Sequence, residues 1–172
     1  LNLPRVLAFA AAGGLTFAAS AVADPATPCT PNDGYASGLS AYVAEVESCL
    51  SGAIGVEADI EAEFLSRINS VRAEAGLSEL ELRDGLTRAA RAHALDMAER
   101  DFAAHRDPEG RDHLFRIRAI DRSTLIGASG AAVLKTSGGN DGGDLFVLLQ
   151  EDEQNNANML NGAFTHIGFG II

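Results

Sequence analysis

The apolar positions of this chain fall mostly at helical spacing, and the clearest run organises the rest. Beyond Asp84, Leu86, Ala90, His93 and Met97 mark one face of a helix that Asp84 caps. Asp107-Pro108-Glu109-Gly110 cannot extend it, so it is expected to stop near His105 and deliver that histidine into a polar loop. His93, inside the apolar face, reads as a hydrogen-bonded histidine in or beside the core. Upstream, Ile60, Phe64, Ile68, Val71 and Ala75 predict a helix stopped by Gly76. Tyr35, Leu39, Tyr42, Val43, Val46 and Leu50 predict an earlier one, ended by Ser51-Gly52. Leu77 to Arg83 reads as a connection whose leucines pack beneath the central helix. Downstream the pattern predicts a short helix over Arg111–Ile120, a strand with glycine kinks over Leu125–Thr136, and a loop over Ser137–Gly143. A helix over Asp144–Gln154 begins apolar (LFVLL) and turns acidic (QEDEQ), placing its charges at the end the helix dipole disfavours. Asn155–Gly162 reads as a loop and Phe164–Ile172 as a final strand.

Composition narrows the partners. A chain of 172 residues suits one domain with one core. Its 13 basic residues against 24 acidic ones argue against nucleic acid, because neutralising phosphates needs clustered Lys and Arg. Residues 1–23 read as an export signal: Arg5 is the sole charge before an apolar run from Val6 to Phe17, and Ala21-Val22-Ala23 offers cleavage before Asp24. The run is shorter than the ~20 residues a membrane span needs and is broken by Gly13-Gly14. The expectation is an exported protein, periplasmic or extracellular, with no stable membrane span once the signal is removed.

Export also decides how the two cysteines read. In an oxidising compartment Cys29 and Cys49 are expected to form a structural disulfide. A helix from Gly34 to Cys49 would span about 22 Å. Cys29 could return along at most about 17 Å of chain, plus ~6 Å across the bridge. That demands a taut chain, so regular helix is expected to begin at or after Ser37. Residues 24–56 then form an N-terminal tether and a disulfide-linked helix ahead of a domain over 57–172.

Three stretches in order carry a resemblance: RINSVRAEAGLSEL (67–80), AARAHALDMAERDFAAHRDPEG (89–110) and NNANMLNGAFTHIGFG (155–170). Together they resemble the bacterial branch of the CAP superfamily, the cysteine-rich secretory, antigen 5 and pathogenesis-related proteins. The resemblance implies an α+β fold, an α-β-α sandwich with a small central antiparallel sheet between helix layers and a cleft over the sheet. The family usually adds one more strand beside the last one here, so a chain ending at Ile172 is expected to leave that strand as a sheet edge.

In the family the cleft commonly holds two histidines and two acids able to bind a divalent metal. By the resemblance, His105, in H-x-x-P-x-G, matches the first histidine. Ala128, in Gly127-Ala128-Ser129, replaces the glutamate of a Gly-Glu-Asn motif. Asp152, flanked by Glu151 and Glu153, is the nearest match to the second acid. Asn155-Asn156 stands where a His-Arg pair is usual, and Leu149 replaces an aromatic. The implied site is a degraded one, because zinc wants three or four N, S or carboxylate ligands and neutral Asn is a poor one. His113 is a weak further candidate, as is His166 on the final strand. The implied cofactor is none, or a weakly held divalent ion such as zinc or magnesium.

These residues lead to an expected function: a secreted, non-enzymatic binding module for a lipid, an envelope component or a protein, with His105, Asp152 and Asn155 in its cleft. The alternatives are a hydrolase using His105 with a nearby carboxylate, and a purely structural domain. No G-x-S-x-G nucleophile motif supports the hydrolase.

Overall fold

The helix predicted from Asp84 forms as α3 (Asp84–Glu99), buried along its inner face from Leu86 to Met97. It lies directly on two strands, β1 (Arg5–Ala12) and β4 (His166–Ile171). Side-chain size explains the approach. A Cβ built on Gly168 would sit 2.1 Å from the Thr87 nitrogen, and one on Gly170 2.4 Å from the Arg91 nitrogen. Helix backbone therefore meets strand backbone, an approach that only glycine allows in a strand. The β1 partners of Gly168 and Gly170 in register are Ala10 and Ala8. Ala10 packs with Leu86, Ala89 and Ile117, and Ala8 with Ala90, Ala94 and Met97.

The computed structural model describes residues 5–12, 38–52, 57–121, 127–136 and 141–172. Cys29, the Ala21-Val22-Ala23 motif and most of the expected tether lie outside them. The sheet runs β2-β4-β1-β3, where β2 is Glu81–Leu82 and β3 is Ser129–Thr136. β1 pairs antiparallel with both β3 and β4, and the short β2 pairs parallel with β4. Beside α3, α1 (Leu39–Gly52) and α4 (His113–Ile120) share a cluster of Tyr42, Val46, Ala92 and Ala119. The opposite face of β4 carries Ile167, Phe169 and Ile171. These join Phe64 and Ile68 of α2 (Ala58–Glu74) and Phe146 and Leu149 of α5 (Gly142–Glu151). The result is the α-β-α sandwich the resemblance implied.

Arg72 closes the large-residue side. It is fully buried, and its guanidinium donates to the carbonyls of Ser78, Met159, Asn161 and Phe164. One side chain thereby serves four carbonyls at the ends of elements and in turns, where regular helix and sheet bonding stops.

Several expectations are corrected. The central helix stops at Glu99 rather than near His105. Asp101 adopts a left-handed φ of 54°, and the Phe102 N–H folds back to the Met97 carbonyl at 3.2 Å. The acidic helix over 144–154 is two helices, and Asp152 is the break. Its carboxylate accepts the Asn155 N–H at 2.8 Å and so caps α6 (Glu153–Met159). Asp152 and Glu153 therefore stand at a helix N-terminus, where the dipole favours them. Most of the expected 155–162 loop is helix for the same reason. Leu77–Arg83 contains β2, which sequence pattern did not reveal. The apolar run read as leader contains β1, and β4 is no edge, since β1 and β2 flank it. The first helix begins at Leu39, after Gly38 at φ +100°, in line with the expected start at or after Ser37.

Candidate functional site

His105 lies in the loop between α3 and α4, which three arginines hold in shape. Arg100, just past α3, grips Asp96 through two bonds and reaches Glu109 at 2.7 and 2.9 Å. Arg111 binds Asp107 through its backbone N–H and side chain, at 2.8 and 2.7 Å, and also reaches Glu109. Asp96 and Asp107 are both buried, so these pairs compensate charges that burial alone would penalise. Burial raises the Asp96 pKa and the Arg100 hydrogen bond opposes it. Arg116 of α4, 3% exposed, donates to the His105 carbonyl at 2.8 Å and the Arg111 carbonyl at 3.0 Å. Gly110 completes the turn with φ +82°. The loop backbone is thus fixed from both ends, while the His105 side chain is exposed.

Behind the loop sit two more histidines. His93 is 2% exposed and bonds to the Ala104 carbonyl at 2.8 Å. A carbonyl only accepts, so Nε2 carries the proton and Nδ1 is a bare acceptor; among the described residues the buried Nδ1 has no partner. Burial, then the Arg116 charge, pushes the His93 pKa down to about 3. It is the core histidine the sequence suggested. His113, at the start of α4, meets the Ser129 hydroxyl at 3.1 Å, and burial lowers its pKa too, against the pull of Asp112. His93, His113 and Arg116 border a cavity of about 10 Å³, otherwise lined by alanines and Val133. That is the room one water needs. His105 is close enough for its charge to lower the pKa of both other histidines.

The remaining candidates belong to α6 and the entry to β3. Asp152 is exposed, with one oxygen engaged in the cap. Asn155 is 6% exposed, and Asn158 ties α6 to β3 through the Ala131 carbonyl at 2.9 Å. Ala128 packs against the large-residue core. His166 hydrogen-bonds its neighbour Thr165 at 2.8 Å. Among the described residues, no three His, Cys, Asp or Glu side chains converge as metal ligands would. The structure brings together His93, His105, His113 and Ser129, and gives Asp152 a capping role.

Sequence reasoning missed the arginines. Two signals were present: Asp96/Arg100 and Asp107/Arg111 are each four apart, the spacing that pairs charges across a helical turn. Arg116 carried none, because its partners are carbonyls brought in by the fold.

The comparisons with known proteins agree with this fold. The profile of the Cysteine-rich secretory protein family matches residues 65–172, inside the domain expected over 57–172. Among solved structures, an outer surface protein from Borrelia burgdorferi has a similar fold. Its TM-score is 0.53 at 20% identity, over 67% of this chain and 81% of that one. No curated protein matches the sequence.

Proposed function

We propose that this chain, which belongs to the cysteine-rich secretory protein family, is an exported binding module whose inherited metal site has lost its ligands. The observation that carries this reading is where the acids around His105 are spent. Asp96, Asp107 and Glu109 are each held by Arg100 or Arg111. These carboxylates are committed to the guanidinium groups that shape the loop. A rigid loop presenting an exposed imidazole suits recognition of a lipid, envelope or protein ligand. The donor set fits zinc poorly: Ala128 offers no donor, Asn155 is neutral and buried, and Asp152 caps α6. Export to the periplasm or beyond agrees with the leader-like residues 1–23 and with a structural neighbour described as an outer surface protein. No described helix is long and apolar enough to cross a membrane.

Calorimetric titration with zinc and with magnesium tests the reading. The wild-type protein is expected to show no sub-micromolar binding, and Ala128→Glu combined with Asn155→His to raise zinc affinity. Sub-micromolar zinc binding that His105→Ala abolishes would overturn it and revive a metal-dependent hydrolase. The Cys29–Cys49 bond is proposed alongside, closing a loop of about twenty residues worth roughly 3 kcal/mol. Cys49 is buried on α1. Non-reducing mass spectrometry of the exported protein should find the pair oxidised within one chain; two free thiols or a Cys-linked dimer would disprove it.

A further inference from the structure

The eight residues of β1 stand between β3 and β4 and supply each with its partner on that side. Without β1 those two strands would face each other across two strand spacings, about 9.6 Å, with unpaired N–H and C=O groups along both rims. The floor of the gap would be α3, where Leu86, Ala90 and Met97 would lose the cover of Ala10 and Ala8. Yet these eight residues also lie inside the segment that cleavage before Asp24 would detach. The strand that completes the sheet is thus one that cleavage before Asp24 would cut free.

We propose that the gap between β3 and β4 is a strand-acceptor site whose ligand is Arg5–Ala12, held in cis while the chain is intact and in trans once residues 1–23 are severed. The ligand class follows from the walls. Both rims offer antiparallel backbone pairing, which adds a strand in the way that β-augmentation does, but from two sides at once. Gly168 and Gly170 set α3 at backbone contact distance, so ligand positions in register with them must be no larger than alanine. Ala8 and Ala10 meet that limit, and a longer side chain at either would run into α3, with only the small cavity beside His93, His113 and Arg116 to enter. This proposal depends on the docked strand and its register, and not on the reading of the His105 loop.

The test uses the full chain with a protease site placed between Ala12 and Asp24. After cutting, the fragment bearing Arg5–Ala12 should elute with the rest of the protein under native conditions. A labelled synthetic peptide of residues 1–12, in excess, should exchange into the complex. The same peptide carrying Ala8→Glu and Ala10→Glu should not. Separation of the fragment on cutting, whether or not the remainder stays folded, overturns the proposal. A second arm uses the intact chain with Ala10→Glu, which should take up the labelled wild-type peptide while the intact wild type, its gap filled, does not. Equal uptake by intact wild type and variant would place the peptide elsewhere and overturn it too. Should Ala10→Glu fail to fold, the cut wild-type chain decides.

Discussion

The two faces of the sheet are built on opposite rules. Under α3 the contact is made by Ala8, Ala10, Gly168 and Gly170 against Ala89, Ala90 and the helix backbone itself. Under α2 and α5 it is made by rings: Phe64 meets Phe146 and Phe169 edge-on, at centroid distances of 6.0 and 6.1 Å. The first face is limited by backbone at Gly168 and Gly170, which cannot yield as a side chain can. The second is limited by side chains, which can relax but leave voids when shortened. Addition should therefore damage the α3 face and deletion the other, and the His105 loop hangs from the face that tolerates addition least.

The largest expected effect is that of Gly170→Val. Overpacking usually costs about 1–3 kcal/mol because neighbours shift. Here the nearest atoms are the Arg91 nitrogen and the Ala90 carbonyl group, so loss of cooperative thermal unfolding is expected. A native-like melt would mean that α3 is free to lift off the sheet. On the opposite face Phe169→Ala should keep the fold and lower its stability by about 3–5 kcal/mol in urea unfolding. A loss as complete as that of the glycine variant would erase the distinction between the faces.

Acid sharpens the comparison, because the α3 face buries a neutral imidazole. His93 has a folded pKa of about 3, below its ordinary 6.5, so the native state binds fewer protons than the unfolded one. Its contribution is complete above pH 6.5 and is lost as pH falls towards 3, by up to about 1.4 kcal/mol per pH unit. His113, lowered in the same direction, adds to the trend, and Asp96, raised, opposes it at the acid end. Unfolding free energies measured between pH 7.5 and 5 should fall in the wild type and fall less in His93→Gln. Equal slopes would remove His93 as the cause. The smallest effect should be a gain. Gly162→Ala adds a methyl that meets only a Leu77 methyl at 3.4 Å and restricts the unfolded chain. It should raise stability by about 0.4–1 kcal/mol, and a clear loss would show that tight packing extends beyond the α3 face.

Periodicity alone located α1, α2 and the start of α3, because a helix half-buried against a sheet must repeat its apolar face every three to four residues. The family motifs were equally legible, being matters of identity at fixed spacing. Where Asp152 acts was not legible. One acidic run fits the end of a long helix or the start of a short one, and only the break between α5 and α6 separates them. The clamp on the His105 loop was half legible, in the four-residue spacing of two ion pairs, and otherwise depended on Arg116 reaching carbonyls that the fold carries to it.

β1 shows most plainly what sequence alone determined and what tertiary structure decided. The run RVLAFAAA established an apolar segment with one charge at its start. The run lacks the polar alternation that usually betrays a strand, so it reads as a leader. What alternates instead is size, with alanine at positions 8 and 10, where α3 lies closest. That pattern acquires meaning only once Gly168 and Gly170 have brought the helix to the sheet. Strand pairing depends on partners more than a hundred residues away, which local periodicity does not record.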